Sequence, residues 1–156
     1  MRILNLLFPN KPWLLKPKVQ DGEFGLMWFN KDRNPFFNHY QASFTFKPIN
    51  SKIDAFFTSD KEGIDPKQRH FYWEIEKKYA DMVPLLIKPL EDFFKEKYNL
   101  EISIQNFKEE FILFAVSISR YAYQQQEWSL SYTRANDPYA GITIKLKNWD
   151  VVDIIG

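Results

Sequence analysis

The strongest constraint on this chain is one long apolar stripe: Phe71, Ile75, Tyr79, Met82, Leu86, Leu90, Phe93 or Phe94, and Tyr98, recurring at steps of three and four. About 3.6 residues per helical turn put such positions on one side, so the spacing predicts an amphipathic α-helix. Charged residues fill the other side, with Glu74–Lys78 and Glu91–Lys95 as i,i+4 pairs. The start is marked by Asp65, whose carboxylate can accept from the free N–H groups of a first turn. Pro66 follows at the position where a missing N–H is no loss, and Gln68 stands where a capping-box partner belongs. Pro84 and Pro89 each remove a helix hydrogen bond, so a kink or break is expected near residues 81–84. The stripe keeps its phase across both prolines, which favours one kinked helix. Asn99 is expected as a left-handed cap, with Leu100 folding back toward Phe94.

Period-two alternation flanks this helix on both sides. Before it, Phe24, Leu26 and Trp28 share one face of a run over residues 23–29. Ala42, Phe44 and Phe46 share a face over residues 40–47, and Ile53, Ala55 and Phe57 over residues 52–58. Pro48-Ile49-Asn50-Ser51 turns the last two runs into a hairpin. After the helix, Leu100, Ile102 and Ile104 alternate with polar residues. A long run over residues 111–123 then places Ile112, Phe114, Val116 and Ile118 on one face and Ser117, Ser119, Tyr121 and Tyr123 on the other. Residues 127–134 and 141–147 alternate likewise, with Trp128, Leu130, Tyr132, Ile142, Ile144 and Leu146 inward. Half-buried strands joined by short polar turns suit an antiparallel sheet with one wet face. The expectation is an α+β fold: about six to seven mostly antiparallel strands, with one long, proline-kinked helix on one face.

No repeat or Gly/Ser-rich linker divides residues 1–156, which read as one domain. Residues 1–20 carry Arg2, Lys11, Lys16 and Lys18 and no acid. Their apolar run from Ile3 to Phe8 stops at Pro9, shorter than a secretory core, and no small-residue cleavage site follows. This segment is read as a basic arm packed on the domain through Leu4, Leu7, Phe8 and Trp13. No stretch approaches the roughly 18–20 apolar residues that span a bilayer. The absence of Cys removes disulfides and thiolate chemistry and fits a cytoplasmic protein. A net charge of +1 gives no case for a nucleic-acid partner.

Catalytic constellations are not evident. Five scattered glycines supply no phosphate-cradling loop, and His39 and His70 have no metal-ligand spacing, so no metal or cofactor is expected. Glu74-Ile75-Glu76-Lys77 has the carboxylates of a nuclease-like motif, but its mid-helix placement reads as a solvated face. Ser117, Ser119, Ser129 and Ser131 lack a nearby His or a nucleophile elbow. No catalytic residue is assigned.

The informative feature is the second face of the sheet. Tyr121, Tyr123, Ser119, Ser131, Thr133 and Lys145 would gather there, and Tyr with Ser and Thr gives rigid contact area plus adaptable hydrogen bonding. These six are the candidate partner-binding residues. The chain also has 15 Phe, 8 Tyr and 5 Trp, more rings than its core needs. The surplus supports an alternative: a small-ligand or enzymatic domain with an aromatic-lined pocket between helix and sheet.

The order of elements, opened by Phe24-Gly25-Leu26-Met27-Trp28 and centred on the helix from Phe71 to Phe94, resembles small bacterial immunity proteins that accompany polymorphic toxins. The resemblance implies a non-enzymatic role, binding one toxin domain and blocking it. It carries no residue-level motif, so no site residue comes from it.

Overall fold

The computed structural model describes residues 18–60, 63–120 and 127–156. Strands β1 (Lys18–Asp21), β2 (Gly25–Asn30), β3 (His39–Phe46) and β4 (Ser51–Thr58) precede helix α1 (Pro66–Tyr98). A single turn, α2 (Phe107–Glu110), leads into β5 (Phe111–Ile118), β6 (Trp128–Arg134), β7 (Asp137–Lys147) and β8 (Asp150–Ile155). All eight strands form one sheet in sequence order. Every neighbouring pair is antiparallel except β4 and β5, which run parallel. The molecule is therefore two four-stranded meanders joined at one parallel seam, with α1 as the crossover that a parallel pair requires. No helix among the described residues is long and apolar enough to cross a membrane.

The helix begins as its cap residues dictate. Asp65 accepts from Lys67 N at 2.8 Å, and Gln68 Oε1 accepts from Asp65 N at 3.1 Å, completing the capping box. Gln68 does more than cap. It is fully buried, and its Nε2 donates to the carbonyls of Thr58 (3.0 Å) and Ile118 (3.3 Å), the last residues of β4 and β5. One amide thus ties the helix start to both strands of the seam. Beside it, Arg69 pairs with Asp21 and, at 3.2 Å, with Glu23, so the β1–β2 hairpin is pinned to the first turn of α1.

Helix α1 runs unbroken through Pro84 and Pro89. Pro84 is exposed, so the carbonyl it leaves unpaired lies on the solvent side, while the stripe around it stays packed. Asn99 ends the helix at φ 52°, and Leu100 N reaches Phe94 O at 3.2 Å.

Two rows of the inner face carry most of the sheet's part of the core. Met27, Ala42, Ala55, Val116, Leu130, Ile144 and Ile154 lie in register across β2–β8, as do Phe29, Tyr40, Phe57, Ile118, Trp128, Leu146 and Val151. The stripe of α1 packs on them, with Phe46–Tyr79 at 5.1 Å, Phe71–Trp128 at 5.9 Å and Phe24–Tyr72 at 5.3 Å between ring centroids.

Four sequence expectations need correction. The sheet has eight strands, because residues 18–20, read as part of the arm, begin β1, and residues 150–155 form β8. Residues 100–105 do not form a strand: Leu100 N closes the helix on Phe94 O, and Ile104 N and Gln105 N go to the side chains of Glu91 (3.0 Å) and Glu110 (2.9 Å).

The phase of β2 is the reverse of that expected. Gly25 takes φ +68° after the β1–β2 turn, a conformation that favours glycine, so Phe24 and the strand after it are out of step. Met27 and Phe29 point inward, and Leu26, at 41% exposure, lies outside.

The fourth correction concerns β5. Its register against β6 shifts between Leu113 and Ala115. This bulge inserts one residue and flips the alternation. Val116 and Ile118 are inward as expected, but Ile112 and Phe114 are 50% and 43% exposed, and Phe111 and Leu113 take the core positions.

Strands β7 and β8 are joined by Asn148 and Trp149, both with positive φ (49° and 73°), in the two-residue turn that twisted hairpins favour. A tryptophan at such a φ costs about 1–2 kcal/mol. It is offset by packing: the Trp149 ring lies 5.3 Å from Trp128 and 5.4 Å from Phe71, with Lys78 Nζ 4.2 Å from its centroid.

Candidate functional site

With α1 on the inner face, the outer face of the sheet is built from the alternate residue of each strand. One row crosses all eight strands in register: Lys18, Trp28, Gln41, Phe56, Ser117, Ser129, Lys145 and Asp153. The next row runs Ser43, Asp54, Ala115, Ser131, Thr143 and Ile155. Along the first row aromatic side chains therefore stand on β2 and β4, serines on β5 and β6, and charge on β7 and β8, with Lys18 at the opposite edge. Thr133 sits one step beyond, opposite both Ile112 and Gly141.

Three of the candidate residues meet here. Ser131 Oγ is 3.0 Å from Thr143 Oγ1, and Lys145 Nζ pairs with Asp153 at 3.0 Å, with Thr133 on the neighbouring rung. Ser119 lies just past the end of β5, where its hydroxyl donates to the Glu127 carbonyl at 3.2 Å, so it closes the strand end. Tyr121 and Tyr123 lie outside the described residues.

The structure adds residues that the alternation had assigned inward. Ile112 and Phe114 reach the outer face through the bulge, beside Thr133 and Ser131. Leu26 and Trp28 reach it through the phase reset at Gly25. The signal for the second was present in the sequence, as a glycine opening an apolar run. The first had none: Phe111 to Val116 is uninterrupted apolar sequence, which fits either phase.

Electrostatically this face is quiet. Gln41 Nε2 donates to Asp54 at 3.3 Å, Lys147 lies 3.6 Å from Glu127, and Arg120 pairs with Asp60 at 2.7 Å. The strongest perturbed acid is elsewhere: the Arg69 guanidinium holds the Asp21 carboxyl well below the usual carboxylate range. Burial pushes the Tyr79 and Tyr132 phenols up; they face each other at 3.2 Å inside the core. Among the described residues no group of three or more His, Cys, Asp or Glu side chains could hold a metal. Glu76, from the nuclease-like motif, accepts from the Tyr72 hydroxyl at 2.8 Å on the helix flank.

Among the described residues, two sizeable clefts between α1 and the sheet stand out. One, of about 520 Å³, opens at the C-terminal end of α1 and is walled by Phe94, Tyr98, Leu100, Ile142 and Arg134, whose guanidinium lies 5.0 Å from the Phe94 centroid. The other, of about 420 Å³, lies by the β3–β4 turn between Lys47, Lys108, Tyr79 and Ile112. Comparison with protein-family models, curated proteins and solved structures found no match to the chain.

Proposed function

We propose that the protein is a non-enzymatic binding module whose outer sheet face holds a single protein partner, in the manner of an immunity-type inhibitor covering a bacterial toxin domain. The observation that carries this reading is the outward turn of Ile112 and Phe114 beside Ser131 and Thr133. Phe114 is the kind of aromatic anchor that dominates protein-binding surfaces, and the hydroxyl side chains around it supply adaptable hydrogen bonds, as in paratopes. Ser131, Thr133 and Lys145 would supply adaptable polar contacts, and Ser119, Tyr121 and Tyr123 are proposed as further partner-binding residues.

The test is site-specific photo-crosslinking in the native host. Benzoylphenylalanine placed at Phe114 or Phe56 should trap one protein species, while the same group at Leu85, on the exposed side of α1, should trap none. Equal trapping from both sides, or none from the sheet, would rule the face out.

A second reading rests on the 520 Å³ cleft. Its aromatic walls suit a flat organic ligand whose polar groups meet Arg134 and Asp137, the ligand-binding alternative. A thermal-shift screen with aromatic carboxylates reads it directly. A ligand at about 100 times its Kd stabilises by roughly 2.7 kcal/mol, and a flat response counts against the cleft.

A further inference from the structure

Between β2 and β3 the chain leaves the sheet, and residues 31–37 are all exposed. Phe36 and Phe37 are 61% and 59% exposed, with their rings edge to face at 5.7 Å. This loop does not owe its shape to ring burial. Asp32 Oδ1 accepts from Asn34 N at 2.9 Å, Asn34 Oδ1 from Phe36 N at 3.1 Å, and Asn38 Oδ1 from Asp32 N at 2.8 Å. Phe37 N returns to Asn34 O at 3.0 Å, closing a single 3-10 turn with Pro35 at its start. Asn38 is itself buried, and its carbonyl accepts from Ser59 N at 2.9 Å. Polar bonds to the backbone thus shape the segment that presents the two exposed rings. A loop backbone ordered before contact loses little freedom on binding, and exposed aromatic residues make strong anchors.

The surroundings define what would bind. Lys31 and Arg33 flank the rings, are exposed, and form no ion pair among the described residues. Asp32 is turned to the Asn34 amide. The loop is also continuous with the outer face: His39 Nδ1–H donates to Phe37 O at 3.0 Å, and its ring lies 5.6 Å from Phe56, in the row that includes Trp28. Two cations around Asp32 fall short of the roughly four to eight basic residues of a lipid-binding cluster, which favours a protein over a lipid surface.

We infer that the 31–37 loop is the anchor of the partner contact and takes an acidic amphipathic segment of a protein. Apolar side chains of that segment pack on Phe36 and Phe37, and its carboxylates meet Lys31 and Arg33. The inference deepens the sheet-face reading and rests on it only for the continuation of the contact across Phe56 and Trp28.

The test is selection from a displayed library of random twelve-residue peptides against the whole chain. Enriched peptides should combine apolar residues with Asp or Glu. Their affinity should fall about 30-fold in Phe36→Ser/Phe37→Ser and about tenfold in Lys31→Glu/Arg33→Glu, the scale of anchor and charge contacts. Both double variants alter exposed side chains, so an unchanged melting temperature verifies folding. No enrichment, peptides without acids, or affinity retained in Phe36→Ser/Phe37→Ser would overturn the assignment. Binding to phosphatidylserine vesicles that depends on Phe36 and Phe37, without peptide binding, would overturn it in favour of a membrane anchor. Loop-dependent peptides unaffected by Ser131→Arg would leave the loop standing while counting against the sheet face.

Discussion

The two faces of the sheet are made by the same strands yet organised in opposite ways. Inside, Val116, Leu130 and Ile144 lie in one row at essentially zero exposure, and each is locked by its neighbours and by α1. Outside, the matching row reads Phe56, Ser117, Ser129 and Lys145, with small side chains on β5 and β6 and larger ones on either side. The inner pattern minimises voids, since packing at crystal-like density is what buried methylene groups reward. The outer pattern leaves room over its centre. Stability is therefore concentrated on one face, and the other is free to be spent on recognition.

Breaking the inner face should have the largest effect. Leu130→Ala leaves a cavity under α1 and should cost about 2–5 kcal/mol, read as a lower urea midpoint with an unchanged slope. Gln68→Ala should cost about 2 kcal/mol, because the Thr58 and Ile118 carbonyls lose their donor inside the protein. Only a small part of that loss is expected if the amide acts merely as a cap, so the measured value separates the two roles.

Asp21→Asn tests the edge. Removing the charge that Arg69 holds should cost about 1–2 kcal/mol at neutral pH. The folded carboxyl is held below its unfolded value, so its contribution is full above about pH 3.9 and is lost as the pH falls below that. Wild-type and variant urea midpoints should accordingly converge in acid. The smallest effect is expected on the outer face, where Ser131→Ala should change stability by less than about 0.5 kcal/mol. A larger loss would show that this face also supports the fold.

How far the sequence led differs by element, for physical reasons. Helix α1 was legible almost residue by residue, because Asp65, Pro66, Gln68 and Asn99 specify its ends through local hydrogen bonds. The hairpin of β3 and β4 was legible through its alternation and its turn. Strand β5 was read from its true start but half out of phase and past its end at Ile118, since a bulge is decided by pairing with β6 rather than by local sequence. Residues 100–105 alternate like a strand, yet Glu91 and Glu110 satisfy their backbone from afar in sequence or across a turn. The same non-local decisions hid half of the candidate face: Ser131, Thr133 and Lys145 were found by alternation, whereas Ile112 and Phe114 required the register. The exposed ring pair at Phe36 and Phe37 escaped notice because composition counts rings without saying which are wet.

The parallel seam also bears on how the chain assembles in time. Each meander closes through neighbours along the chain, as Ala42 with Ala55 and Leu130 with Ile144, whereas Ala55 meets Val116 only after the whole of α1 has been placed. Loop-closure entropy makes such distant contacts late and slow, so the seam is expected to form after the barrier to folding. A Val116→Ala variant should then unfold faster while folding at nearly the wild-type rate, a φ-value near zero, whereas the same truncation at Ile144 should slow folding. On that order of events the two meanders exist briefly as separate sheets with open edges at β4 and β5. The pairing of β4 with β5 that α1 brings about is then what keeps those edges from pairing with another chain.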